Sequence, residues 1–330
     1  MARFTKGHGL GNDYLVMEEQ ELGFPLSPNA VRWICHRHWG VGSDGILLRT
    51  ASGVADVGLR IFNPDGSEAE KSGNGLRIFA KYLWERVGLR KSPTRIETKG
   101  GVVEAVCHLR GDRVEEVTVE MGHATFRAPE IPMHGPDREV VAVPLQVGER
   151  TLQVTCVSVG NPHCVIFTDH LDEGEVRTLG PRIETHPAFP NRTNVQFARV
   201  LGRDRVEIRI WERGAGYTLA SGSSACAVAA AAVRNAHCDG AIAVLSPGGR
   251  LGLEVRPDFS IRLRGPVAEA CSGELAPELV AALRERAPLL AGHHISRSTL
   301  GRARVGDRNP GTGNLGTGLT RPAPAAHHPG

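Results

Sequence analysis

The sequence predicts an α+β protein made of two similar halves, each a strand-rich, barrel-like sheet around one central helix. Three observations support this. Segments alternating apolar and polar residues outnumber segments with helical spacing. Two Ser-Gly pairs, Ser72-Gly73 and Ser221-Gly222, each open an apolar helical run. Each pair stands sixty positions after the Asn of a Gly-Asn turn, Asn12 in one half and Asn161 in the other.

The elements follow from local pattern. Residues 3 to 18 read as strand, glycine turn and strand, with Gly7-His8-Gly9-Leu10-Gly11-Asn12-Asp13 between Phe4 and Tyr14-Leu15-Val16-Met17. Pro28-Asn29-Ala30 opens a short helix that ends near Gly40. Ile46-Leu47-Leu48 and Leu59-Arg60-Ile61-Phe62 are strands, the second delivering Asn63 at its end. Leu76, Phe79, Ala80, Leu83 and Val87 share one helical face, so this helix is central and buried. Strands are expected at 94–98, 102–106 and 114–121, and a proline-bearing linker at 125–150. The second half then repeats the order: strands at 151–159 and 164–167, a short helix around 172–177, strands at 195–197 and 206–211, and the small, apolar helix 225–233. Three more strands at 241–245, 251–255 and 260–263 and a helix at 277–290 complete the folded part. The expected domains are 1–120, completed by about 264–290, and 121–263, with the active site in the cleft between them.

With 330 residues, 41% hydrophobic and 23% charged, the chain suits one large or two ordinary domains with a sizeable core. A net charge of +3 argues against a nucleic-acid partner. No apolar run approaches the roughly 20 residues of a membrane helix, and no signal-peptide pattern follows Met1, so a cytoplasmic enzyme is expected. Seven cysteines without framework spacing argue against a disulfide scaffold. Cys35-His36-Arg37-His38 is the only close Cys/His cluster and lacks a second ligand pair, so no metal is expected. From residue 291 on, the chain has no periodicity and reads as a disordered tail. Gly311-Thr312-Gly313-Asn314-Leu315-Gly316 there matches a dinucleotide pattern, but without the flanking strand and helix it carries no nucleotide site.

The two Ser-Gly pairs suggest the chemistry. The first N–H groups of a helix lack intrahelical partners and lie at its positive end, which makes an anion site. Two such tips at one cleft would hold one carboxylate and stabilise the charge that forms when an α-proton leaves. Serine at this position also caps helices, but capping alone does not explain the matched spacing.

Several segments together resemble the diaminopimelate epimerase family. They are Lys6-Gly7-His8-Gly9-Leu10-Gly11-Asn12-Asp13, Asn63-Pro64-Asp65-Gly66-Ser67, Ser72-Gly73-Asn74-Gly75, Gly160-Asn161-Pro162-His163-Cys164-Val165, Glu212-Arg213-Gly214-Ala215-Gly216 and Ser221-Gly222-Ser223-Ser224-Ala225-Cys226. The resemblance covers roughly residues 1 to 270. It implies two pseudo-symmetric domains of that family's fold, no cofactor, a small amino-acid substrate, and conversion of LL- to meso-diaminopimelate for lysine and cell-wall synthesis. It also admits a homodimer. Carried over by position, Asn12, Asn63, Asn161, Asn194, Glu212 and Arg213 would hold the substrate. The backbone of Gly73, Asn74, Gly222 and Ser223 would hold the reacting carboxylate, and His163 would support proton transfer. Glu212 would accept from an ammonium group, and as an alternative base it joins Ser72, Ser221 and His163 as a catalytic candidate.

The family carries a cysteine at both positions held here by Ser72 and Ser221. A thiol has a pKa near 8.5 and yields a thiolate readily at a helix tip, whereas a hydroxyl needs a partner to act as a base. The alternatives are therefore a diverged isomerase, lyase or racemase acting on another small acidic or amino-acid substrate, the isomerase or lyase needing only one-sided proton transfer, and a non-catalytic binding homologue.

Overall fold

The computed structural model of the protein describes residues 2–285; the expected tail at 291–330 and its glycine motif lie outside them. In chain order the first half contains β1 (Arg3–Gly9), β2 (Asn12–Glu18), α1 (Pro28–Cys35), β3 (Ile46–Thr50), β4 (Val57–Phe62), β5 (Glu68–Ala69), α2 (Gly73–Tyr82), β6 (Thr94–Thr98), β7 (Gly101–Arg110) and β8 (Arg113–His123). Then come β9 (Val143–Val147), β10 (Arg150–Ser158), β11 (Pro162–Phe167), α3 (Glu173–Glu184), β12 (Asn194–Gly202), β13 (Arg205–Glu212), β14 (Gly216–Thr218) and α4 (Gly222–Arg234). The last elements are β15 (Ala241–Ser246), β16 (Gly249–Val255), β17 (Ser260–Pro266), β18 (Ala268–Glu274) and α5 (Pro277–Arg284).

The repeat read from spacing is a repeat of topology. In the first half β1–β2 is antiparallel, β2–β3 parallel, β3–β4 antiparallel, β4–β6 parallel, and β6–β7 and β7–β8 antiparallel. The second half repeats every step with β10, β11, β12, β13, β15, β16 and β17. Each parallel step requires a crossover, and the helices supply it. The α1 and α3 crossovers cover the outer sheet faces, while α2 and α4 lie on the inner faces, in one core shared by both halves.

Each sheet curls around its helix but stays open, because no pairing among the described residues joins β1 to β8 or β10 to β17. Instead β8 pairs antiparallel with β17, so the halves merge into one continuous 18-stranded sheet. The central helices are built for this enclosure. In α2, Leu76 and Phe79 are fully buried, and truncating a buried Phe to Ala costs about 3–5 kcal/mol. In α4 the run Ala225 to Ala232 is wholly buried, and its small side chains let the sheet wrap closely.

Three expectations require correction. Residues 125–150 are not a linker. Phe126, Ala128, Ile131, Val140, Leu145 and Val147 are buried, and β9 pairs with β10. The prolines misled because they suit a 3-10 turn at Ala128–Glu130 and an edge strand that carries Pro144. The helix expected near 172–177 runs to Glu184 with Pro181 inside it. The stretch 268–274 carries no strand signal yet pairs with β1, returning the chain to the first half. There α5 adds Leu283 to a core containing Leu15, Met17 and Ile34.

Among the described residues, no helix is long and apolar enough to cross a membrane. The Cys35–His38 cluster closes α1: the His36 Nδ1 atom accepts from the backbone N–H groups of His38 and Trp39.

Candidate active site

Ser72 and Ser221 are the N-caps of α2 and α4, both in extended backbone. The Ser72 Oγ accepts from the Gly75 N–H at 3.1 Å, and the Ser221 Oγ from the Ser224 N–H at 3.4 Å. The two tips meet. A Cβ built on Gly222 would lie 3.6 Å from the Gly73 Cα and 3.4 Å from Leu263 Cδ1. With 3.8 Å between successive Cα atoms, the two serine Cα atoms are at most about 13 Å apart. The floor beneath the tips is the β8–β17 junction: Met121 and Leu263 flank the Cβ position of Gly73. The N-terminal tips of α2 and α4 therefore lie together, and free N–H groups at helix N-termini favour an anion.

The two walls differ chemically. Beside Ser72 stands Tyr14, its phenol oxygen 3.3 Å from the serine Oγ. Burial lifts the Tyr14 phenol to about 12, opposed by the Ser72 contact and helped by the charges of Asp44 and Glu212. Beside Ser221 stands Glu212. Burial raises its carboxyl above the ordinary value, while the neighbouring Ser221 and Thr218 hydroxyls favour the charged form. The Ser223 Oγ lies 3.5 Å from that of Ser221.

Asparagines stitch the tips to their loops. The Asn74 Nδ2 donates to Asn12 Oδ1 at 3.0 Å, and Asn12 Nδ2 donates to Asp44 Oδ2 at 3.0 Å. Arg77, fully buried one turn into α2, donates to Asn74 Oδ1 and to the Gly73 carbonyl. In the second half Asn194 donates to the Pro162 carbonyl, and its Oδ1 accepts from the Arg213 N–H at 3.0 Å. Glu184, buried under this turn, accepts from Trp211 Nε1 at 2.7 Å and Gly214 N at 2.8 Å, and also pairs with Arg192. These contacts hold the segment that carries Glu212 and Arg213.

His163 is fully buried with both ring nitrogens engaged. Gln196 Nε2 donates to its Nδ1 at 3.1 Å, so the other nitrogen, 3.0 Å from Asn161 Oδ1, carries the proton. Burial drops its pKa to about 3, and the Arg213 charge assists. The imidazole is thus neutral and holds Asn161 in place. The same Gln196 amide donates to Ser224 Oγ at 3.0 Å, tying this network to the α4 tip.

Two of the expected residues stand apart from this network. Asn63 folds its amide onto Ser67 Oγ at 3.0 Å within its own turn. The Arg213 guanidinium is exposed and donates to the Asn191 carbonyl. Tyr14, Asp44, Arg77, Glu184 and Gln196 were not legible as site residues. Only the matched position of Tyr14 and His163, each two residues after the repeated Asn, offered a signal.

A family model described as diaminopimelate epimerase matches residues 4–127 and 155–268. A relative named diaminopimelate epimerase 2, from Nostoc sp., is 50% identical over 280 residues, covering 84% of this chain and 97% of the relative. A diaminopimelate epimerase from Pelotomaculum thermopropionicum is 44% identical over 273 residues, covering 82% and 98%. Among solved structures, a probable proline racemase from Agrobacterium radiobacter K84 aligns with a TM-score of 0.64 at 14% identity, covering 85% of this chain and 96% of the other. A hydroxyproline epimerase from Agrobacterium vitis aligns at 0.62 and 15% identity, covering 82% and 90%. At such identities these two show the shared fold.

Proposed function

The chain belongs to the diaminopimelate epimerase family, and we propose that it is a cofactor-independent amino-acid epimerase in which Ser72 and Ser221 stand on opposite faces of one substrate. The contact between the tips at Gly73 and Gly222 is the observation that carries this reading. The substrate's α-carboxylate binds the free N–H groups of both helices, which also stabilise the carbanion-like state. Glu212 serves as the base on one face, taking the α-proton through the Ser221 hydroxyl, and Ser72 delivers a proton on the other. His163 is a positioning residue for Asn161. Diaminopimelate, the compound in the relatives' names, is the first substrate to test, with exposed Arg213 available to its distal carboxylate. For the domains we propose 1–120 completed by 264–290, and 121–263; the pairing of β18 with β1 supports that division.

The asymmetry of the walls favours a second reading. The Glu212 carboxyl stands beside Ser221 whereas the Tyr14 phenol stands beside Ser72, which suits one-sided proton transfer by an isomerase or lyase acting on another amino acid.

Deuterium wash-in at Cα in heavy water, across a panel of amino acids including LL-diaminopimelate, separates the readings. Exchange with inversion is the expected result; exchange or elimination without inversion supports the one-sided reaction. Tight binding with no exchange would leave a binding protein. A Ser72→Cys, Ser221→Cys double variant that gains diaminopimelate epimerisation would show that the pocket is that of the family.

A further inference from the structure

The repeat matches Tyr14 with His163, since each follows its Gly-Asn turn at the same step on β2 or β11. The two matched groups do different things. The imidazole of His163 is locked between Gln196 and Asn161. The Tyr14 hydroxyl instead reaches the capping serine of its own half.

We propose that Tyr14 is the positioning residue that makes Ser72 the proton donor of the pair. This rests on the reading of the two serines as opposite walls of one site. Ser72 Oγ already accepts from the Gly75 N–H. A second bond accepted from the Tyr14 O–H occupies its remaining lone pair and leaves its single proton for the cleft. When Ser72 gives up that proton, its O–H bond breaks, and the carbanion's electron pair forms the new C–H bond. As it does so the Tyr14 O–H passes its proton to Ser72 Oγ, so the negative charge rests on the phenolate, the weaker base of the two. It rests there until the proton that Glu212 took up on the other face is returned to it through water. Tyr14 is buried, and burial keeps the phenol protonated until Ser72 gives up its proton. The ring is fixed, too: a Cβ on Gly45 would sit 2.6 Å from its Cε1. On the opposite wall the Glu212 carboxyl stands beside Ser221, so that serine serves the accepting direction.

The test measures Cα exchange by the full chain on whichever amino acid the wash-in identifies. Tyr14→Phe keeps the ring and removes the donor. Its kcat should fall by at least about tenfold with KM within about twofold. In a Ser72→Ala background the same change should have no further effect, since the two residues act as one unit. Fluorinated tyrosine at position 14 keeps the fold and the hydroxyl but alters its acidity, so kcat should shift where a packing role would leave it fixed. Wild-type kcat in Tyr14→Phe, or full additivity with Ser72→Ala, overturns this inference alone. Absence of exchange by the wild-type chain overturns the epimerase reading and this inference with it.

Discussion

The Gly73 Cα lies 3.6 Å from where a Cβ on Gly222 would sit, so two helices far apart in sequence touch at their N-terminal tips. The neighbours of that added atom are at 3.4 to 4.0 Å, ordinary contact distances. Gly222→Ala should therefore fold with stability within about 1 kcal/mol of wild type. Gly222→Val extends a second shell of methyls into the seam and wedges the tips apart. It should weaken amino-acid binding at least about tenfold, roughly 1.4 kcal/mol. Thermal melts and calorimetric titration of the three proteins check this. Wild-type affinity in the valine variant would mean that the tips need not touch.

Glu212 sets a pH dependence of rate. Its carboxyl is held above the ordinary 4.5 chiefly by burial. A base must be ionised to accept a proton, so kcat/KM should rise with pH through that elevated value. Glu212→Gln should erase the acid limb and lower kcat by about a hundredfold or more. A profile whose acid limb lies at or below 4.5 would remove Glu212 from the base role.

His163 sets a pH dependence of stability. The unfolded chain takes up a proton on this ring near 6.5, and the native chain not until about 3. Between those values the unfolded state binds more protons, so native stability falls as pH falls. The contribution is complete above 6.5 and is lost by about 1.4 kcal/mol per pH unit below it. Urea denaturation of wild type and His163→Gln at several pH values should show the steeper slope in wild type. Parallel slopes would contradict a neutral, buried ring.

The sequence by itself determined the two-fold repeat and both helix starts. These rest on local rules: Ser caps a helix, Gly clears its tip, and apolar spacing marks its buried face. Only the tertiary structure decided how the two walls differ. Glu212 and Tyr14 owe their elevated pKa values mainly to desolvation, which depends on what packs around them. His163 looks in sequence like a proton carrier beside a serine, but Gln196 and Asn161 engage both its nitrogens. Tyr14 reads as one more residue of an apolar strand until β2 lays its hydroxyl against Ser72, 58 positions away. Contacts made across such separations leave no periodic trace in the chain, because each depends on how the strands and helices come together rather than on neighbours in sequence.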